Sequence, residues 1–509
     1  MIFPALSGKI KVSISKTAGQ CSRLFCRGRC CIMTETKGRP NILLIMTDQM
    51  RGDCLGIAGH PDVKTPYLDQ LASQGAWFPN AYTAAPSCIA ARCGLLTGLS
   101  PEHHGRVGYR DRVNWNYPVT MPGELAKAGY YTKCVGKMHV HPLRNLMGFH
   151  HIELHDGYLG SYRRADIPFY EHQANADDYF RWLKCQLGSE RDLMDTGIDV
   201  NSWLARPWPY EEKYHPTNWV TDRAIDFLRS RDRSRPFFLK ASYVRPHPPF
   251  DAPQCFFDLY KDKDLTPPPV GDWADKERLA RYGRIVDSDT GPIDPELLRQ
   301  AQVGYYACIS HVDNQIGRLL NALAEEGVLQ DTVILFCSDH GELLGDHHTY
   351  RKIRPYQGSV HVPMILYNGG LLGKQENLVE LRDIMPTFLE LAGAPVPESL
   401  DGISMLHPNG REYLHGEHSG GDIGNHYIVT KTDKYCWFTQ SGREQYFDLE
   451  KDPQELHDLS GDPACKERVE YLRGLLVKEL AGREEGYSDG AHLIPGRPER
   501  SVLSFLEQA

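Results

Sequence analysis

Asp48 and Gln49 stand side by side at the end of one apolar run, and Asp339-His340 stand together at the end of another far along the chain. Two carboxylates, an amide oxygen and an imidazole form a donor set for a hard divalent cation. Ca²⁺ or Mg²⁺ fits first, and Mn²⁺ next because of the imidazole. Too few cysteines lie among these positions for structural zinc. Basic groups occupy equivalent places: Lys137 and His139 follow a second apolar run and His247 a third. Cys88 falls where a helix is expected to start, a place that favours an anion. Arg92, four residues on, lies one turn away on the same face. Cations and proton carriers gathered in this way can bind an anion and move a proton.

Each residue also has a plainer reading. An aspartate at a strand end can cap a helix or bond a loop. A lysine is most often solvated. His247, set among prolines, can simply shape a turn, and a cysteine near a helix start is usually a packed thiol. What raises the chemical reading is that the groups recur at one kind of place.

The elements that must position them are those of an α/β fold. Asn41 to Thr47 is a continuous apolar run closed by Asp48, as expected for a parallel strand buried on both faces. Similar runs occur at Tyr131 to Val135, Phe237 to Tyr243, Thr332 to Cys337 and Pro363 to Tyr367. A helix is expected at Tyr67 to Gln74, stopped by Gly75, and a long one from Pro295 to Glu326, where Ile309, Val312, Ile316 and Leu320 recur at helical spacing. The alternation predicts a large, mostly parallel (mixed) sheet sandwiched by helices. Ligands of such sheets bind beyond the carboxyl ends of the strands. Asp48, Lys137, His139, His247, Asp339 and His340 would therefore converge on one rim.

Residues 141–235 read as an irregular, aromatic-rich insertion over the site, with Tyr158, Tyr162, Tyr179, Trp182, Trp203 and Trp208 either packing there or stacking sugar rings. The catalytic domain is expected to span 39–408. From 409 to 509, shorter strands (Tyr427 to Thr430, Tyr435 to Thr439, Gln445 to Leu449) and a helix over Glu467 to Leu480 predict a small α+β subdomain.

The motif Cys88-Ile89-Ala90-Ala91-Arg92, followed by Gly94-Leu95-Leu96-Thr97-Gly98, resembles the signature of the formylglycine-dependent type I sulfatases of the alkaline phosphatase superfamily. Other segments follow in that family's order. Asn41 to Gln49 is similar to its first metal strand, Gly129 to Thr132 with Gly136 to His139 to its second signature, and Arg245-Pro246-His247 to its substrate-histidine loop. Ser338 to Glu342 is similar to its second metal strand, Gly345-Asp346-His347-His348 leads to Lys352, and Tyr446 to Leu449 with Asp452-Pro453 is similar to its C-terminal motif. The resemblance implies that Cys88 becomes a formylglycine whose hydrate is the nucleophile and a metal ligand beside Asp48, Gln49, Asp339 and His340. It also implies that Arg92, Lys137 and Lys352 stabilise charge, and that His247 or Lys352 protonates the leaving alcohol. His139 would then take the proton that releases sulfate. It makes Lys352 and His247 substrate contacts. His347 or His348 either touches substrate as well, His347 first, or is structural, and Glu342 is expected to brace the metal strand or its helix start. Ca²⁺ is the first expected metal, and the substrate is a small sulfated molecule, an aryl or carbohydrate sulfate. Ala90 replaces the family's commonest proline, a variant similar to motifs processed by the radical-SAM maturase of anaerobes, so that type of maturase is the implied partner.

Asp48-Gln49 in place of paired aspartates, with Asp339-His340, is also similar to the phosphonate monoester hydrolases, which makes a phosphonate monoester or phosphodiester hydrolase the first alternative. Lys137-x-His139 speaks for sulfatase, since phosphonate hydrolases typically lack that pair. An inactive protein that captures a sulfated ligand with Cys88 left as a thiol is the alternative from another class.

Composition narrows the field further. The 509 residues carry a net charge of −9, which argues against a nucleic-acid partner. No apolar run near the motifs approaches the ~18 residues of a membrane span. The fourteen cysteines are scattered, with Cys21, Cys26, Cys30 and Cys31 crowded near the start. This is no compact disulfide framework, and Cys134 and Cys337 read as reduced core residues. The first 38 residues hold seven basic groups and one acid, Glu35, without the apolar stretch of a secretory signal. They read as an extension, either presequence-like or ahead of a true start at Met33, and the protein as cytoplasmic.

Overall fold

The computed structural model describes residues 38–157, 177–274, 288–291 and 293–507. The N-terminal extension up to residue 37, and Tyr158 and Tyr162, lie outside the described residues. Fourteen strands are present among them: β1 (Asn41–Asp48), β2 (Ala76–Trp77), β3 (Ala81–Tyr82), β4 (Tyr131–Gly136), β5 (His151–Leu154), β6 (Phe237–Pro246), β7 (Thr332–Ser338), β8 (Met364–Tyr367), β9 (Gly373–Lys374), β10 (Val379–Glu380), β11 (Leu414–His418), β12 (Asn425–Val429), β13 (Asp433–Phe438) and β14 (Glu444–Asp448). Eight form the main sheet in the order β5-β4-β6-β1-β7-β8-β2-β9. β1 pairs in parallel with β6 and β7, while β8 runs antiparallel to β7, so the sheet is mixed as expected.

Strand periodicity decides what lies on each face. Leu43 and Ile45 of β1 point into one apolar cluster with the helices Pro216–Ser230 and Pro295–Glu325. Ile42, Leu44 and Met46 point into the other, with the helices Cys88–Thr97 and Ile384–Leu391. A strand apolar on both sides is therefore fully buried, and truncating one such residue, as in Leu44→Ala, costs about 2–5 kcal/mol.

The stretch read as irregular is more regular than expected. Its described part contains β5, which joins the main sheet, and the helices Asp178–Leu187 and Pro216–Ser230. Tyr179, Trp203 and Trp208 are buried in the first core cluster and Trp182 packs against it, so these rings are packing, not a sugar platform. The amphipathic helix Pro216–Ser230 was obscured by its polar N-terminal turn and short apolar spacing.

The C-terminal strands form a separate antiparallel sheet, β11-β12-β13-β14, whose first strand went unnoticed in the sequence. One face packs on Tyr82, Leu343 and Tyr356 of the main part, and the helix Lys466–Glu479 covers the other. Cys134 and Cys337 are buried and free, as expected.

Candidate active site

The ends of β1, β4, β6 and β7 meet at one rim, and the helix Cys88–Thr97 begins against it. At the end of β1 the register with β6 shifts between Met46 and Asp48, a local irregularity that re-aims the last side chain. Gln49 follows at φ 70. Its backbone N–H donates to Asp339 Oδ1 at 3.1 Å, as does that of His340 at 3.0 Å, so Asp339 is oriented by two strand ends. Glu342 accepts from the Gln49 side-chain amide and from the N–H groups of Leu344 and Arg351. That brace turns Gln49 Oε1 toward Lys352, whose ammonium donates to it at 2.5 Å.

Cys88 Sγ sits at the centre of the charges. His340 Nε2 is 3.3 Å away, Lys352 Nζ 3.6 Å, Asp48 Oδ1 3.7 Å and Lys137 Nζ 3.8 Å. Arg92 reaches Asp339 Oδ2 with Nε at 2.9 Å and Asp48 Oδ2 at 3.4 Å, and Lys137 pairs with Asp48. Asp48, Cys88, Arg92, Lys137, Asp339 and His340 are all buried.

Burial would raise Asp48, but Lys137, His247 and Arg92 outweigh it and hold the carboxyl well below its ordinary value. Burial and Asp48 push the Cys88 thiol up, and Lys137, Lys352 and His340 more than reverse this. Burial pulls Lys137 down, but Asp48 and Cys88 leave it raised. His247 is driven well below its usual range by burial and by Lys352. Its N–H lies 3.0 Å from the Asp48 carbonyl and its Nδ1 2.8 Å from the Pro248 carbonyl, which can only accept. Nε2 is thus left with its lone pair. A buried bidentate pair, Arg245 with Asp251 at 2.5 and 2.6 Å, fixes the turn that carries His247.

Cys88, His139, His247 and Lys352 line one cleft of about 290 Å³, with Tyr109 and Asn201 among its further walls. His139, at φ 59, packs edge-on to Tyr109 with ring centroids 6.1 Å apart. Asn201 comes from the stretch expected over the site. Sequence reading missed Tyr109, Asn201, Asp289, Arg351 and Ile353 as lining residues, because they lie in connections without periodicity. His347 is placed elsewhere. It is buried, its Nδ1 accepts from the Gly271 N–H at 3.0 Å, and its ring packs on Trp273 at 4.6 Å. Burial takes it down to about 3, and it is not among the residues that line the cleft with Lys352.

Single donor atoms of Asp48, Cys88, Asp339 and His340 lie within 4.8 Å of one another. With Gln49 Oε1 already oriented by Glu342, this oxygen-rich set fits a divalent cation. His415, Glu417 and His426 form a second group of such residue types. There Arg483 occupies both Glu417 oxygens, at 2.8 and 2.7 Å, and the two imidazoles bond each other at 3.1 Å.

A mixed sheet between helix layers, with a buried cluster at its strand ends that could hold a metal ion beside Cys88, fits a hydrolase of the alkaline phosphatase superfamily. The sulfatase family model matches residues 40–394, and a model described as N-sulphoglucosamine sulphohydrolase, C-terminal, matches 345–481. The chain belongs to the sulfatase family, whose members hydrolyse sulfuric esters and use a divalent metal. It is 53% identical over 472 residues to an arylsulfatase of Clostridium perfringens, covering 90% of this chain and 98% of that protein. A choline-sulfatase of Rhizobium meliloti is 30% identical, with 84% of each chain covered. Among solved structures, the phosphonate monoester hydrolase of Agrobacterium radiobacter superposes with a TM-score of 0.70 at 26% identity, covering 86% of this chain and 95% of that one. A protein solved with its substrate D-glucosamine-2-N,6-O-disulfate shares the fold, with a TM-score of 0.66 at 22% identity and 87% and 97% covered. Among the described residues no helix is long and apolar enough to cross a membrane.

Proposed function

We propose that the protein cleaves the sulfate ester of a small aryl or carbohydrate alcohol, with residue 88 as the nucleophile position. The observation that carries this is Cys88 Sγ lying 3.3–3.8 Å from His340, Lys352, Asp48 and Lys137, a ring that joins metal ligands to cations. Residue 88 as formylglycine hydrate would supply the attacking hydroxyl, and a divalent cation, Ca²⁺ first, would polarise the sulfate oxygens. Asp48, Gln49, Asp339 and His340 would hold that cation together with residue 88.

The remaining roles follow from what each side chain can do. Arg92, bonded to both aspartates, keeps their carboxylates aimed at the cation. Lys137 and Lys352 stabilise the negative charge that grows on the transferred group. Lys352 is better placed than His247 to protonate the leaving alcohol, because His247 has its Nδ1–H committed to the Pro248 carbonyl and presents a lone pair at Nε2. His247 then orients substrate as an acceptor. His139, in the wall of the same cleft, takes the proton whose removal frees sulfate. A catalytic part over 39–408, a C-terminal α+β part over 409–509, a cytoplasmic site of action and a radical-SAM maturase as partner complete the reading. Ala90 in the Cys88 motif supports the last of these.

The test is the mass of the tryptic peptide Thr65 to Arg92 from native protein. Loss of the Cys88 sulfur with gain of a hydrazine-reactive aldehyde supports the reading, and an intact thiol in active material overturns it. Turnover of 4-nitrophenyl sulfate well above that of a phenylphosphonate ester separates sulfatase from phosphonate hydrolase.

A further inference from the structure

We infer that Asp156 and Lys240, two buried charged residues with no part in the chemistry above, act with Arg92 as a clamp that positions the Lys137-Met138-His139 turn. Met138 and His139 donate their successive backbone N–H groups to Asp156 Oδ1, at 2.8 and 3.1 Å. From the other side, the Lys137 carbonyl accepts from Lys240 Nζ and from Arg92 Nη1, both at 2.9 Å. Four hydrogen bonds with ionisable side chains, two accepted by Asp156 and two donated by Lys240 and Arg92, thus hold three consecutive residues of backbone. The clamp residues come from three elements: Lys240 from the middle of β6, Arg92 from the helix at the site, and Asp156 from two residues past β5. All are 1–2% exposed.

Burying an ammonium mid-strand among Phe237, Phe238, Leu239 and Ala241 costs solvation. Burial brings Lys240 down to about 8. Its hydrogen bond among the described residues goes to the Lys137 carbonyl. What the arrangement secures is His139 at φ 59, a left-handed backbone that a non-glycine residue keeps only when its surroundings over-determine it. Asp156 is held in turn, its own N–H donating to Asp177 Oδ2 at 3.1 Å, while Asp177 Oδ1 caps the helix Asp178–Leu187 through the Phe180 N–H. The inference that this matters for turnover rests on His139 being the base proposed above. A base displaced by about 1 Å can lose about 100-fold in rate.

The test pairs hydrogen–deuterium exchange of the full chain with kinetics on matured enzyme. In Asp156→Ala, amides 138–139 should exchange at least about 10-fold faster with β1 and β7 unchanged, and kcat should fall about 30–100-fold with KM within about threefold. Asp156→Asn, whose amide oxygen can accept the same two bonds, should recover both within about fivefold. Lys240→Met should lower kcat about 10-fold, and it carries the test if Asp156→Ala does not fold. A folded Asp156→Ala with wild-type kcat and protected 138–139 amides overturns the clamp. So does a uniform rise in exchange through β4 and β5 that Asn does not rescue, which marks a merely structural carboxylate. If His139→Ala turns over like wild type while Asp156→Ala still deprotects the turn, the assignment of His139 fails and the clamp stands.

Discussion

Asp48, Asp339 and His340 on one side, and Glu417, His415 and His426 on the other, draw on the same residue types but differ in what completes them. The first group lies buried at the carboxyl ends of parallel strands, where Asp48 and His340 sit beside Cys88, which itself lines a cleft with Lys352 and His139. The second lies within an antiparallel sheet, where Glu417 faces His426 across the β11–β12 ladder. Arg483 there consumes both carboxylate oxygens and bonds Glu485 as well. A saturated cluster stabilises the fold and takes no guest. A cluster whose carboxylates share cations with a cleft can accept an anion and a metal. Position relative to a strand end separates the two.

The largest expected effect is at the cluster beside Cys88. Cys88→Ala should cut 4-nitrophenyl sulfate turnover by about 10⁴-fold with little change in melting temperature, on the scale of removing a nucleophile. Wild-type turnover in that variant would erase the distinction. Chelation of divalent metal should abolish activity and Ca²⁺ should restore it, with elemental analysis finding metal lost from Asp48→Asn and retained in Glu417→Gln. Metal at 100 times its Kd should add about 2.7 kcal/mol of stability to wild type.

At the closed cluster the effects should be on stability. Arg483→Ala leaves a buried carboxylate unpaired and should cost about 3–5 kcal/mol in urea unfolding, with kcat per folded molecule unchanged. Protons should act there too. Burial alone would raise Glu417, but Arg483 and His426 bring it down to about 2 from the ordinary 4.5. A depressed folded value means that the unfolded chain binds the proton more tightly, so this contribution is full above about pH 4.5 and is lost as pH falls toward 2, about 3 kcal/mol in all. His426, kept low by burial, changes stability in the same direction. Urea midpoints between pH 2.5 and 6 should fall less steeply in Glu417→Gln. The smallest effect should be at the cleft mouth, where Tyr109→Ala should raise KM about three- to tenfold, on the scale of one aromatic contact.

Legibility followed the range of the interactions. That Asp48, Lys137, His139, His247, Asp339 and His340 gather at one rim was legible because an apolar run that ends in a polar residue marks a strand end. Lys240 was hidden because one lysine inside an apolar run reads as noise. His347 misled because it sits beside a motif yet turns back onto Trp273.

The sequence by itself determined the alternating elements, the buried central strand and the set of residues able to bind a metal and an anion, because periodicity and side-chain chemistry are local. Tertiary structure alone decided which histidine and carboxylate groups lie beside Cys88 at the cleft and which are taken up by Arg483. The Arg483–Glu417 pair, the Asp156 bonds to the His139 turn and the helix packed over residues 216–230 join segments that only folding brings together, and nothing in their local sequence fixes the partner.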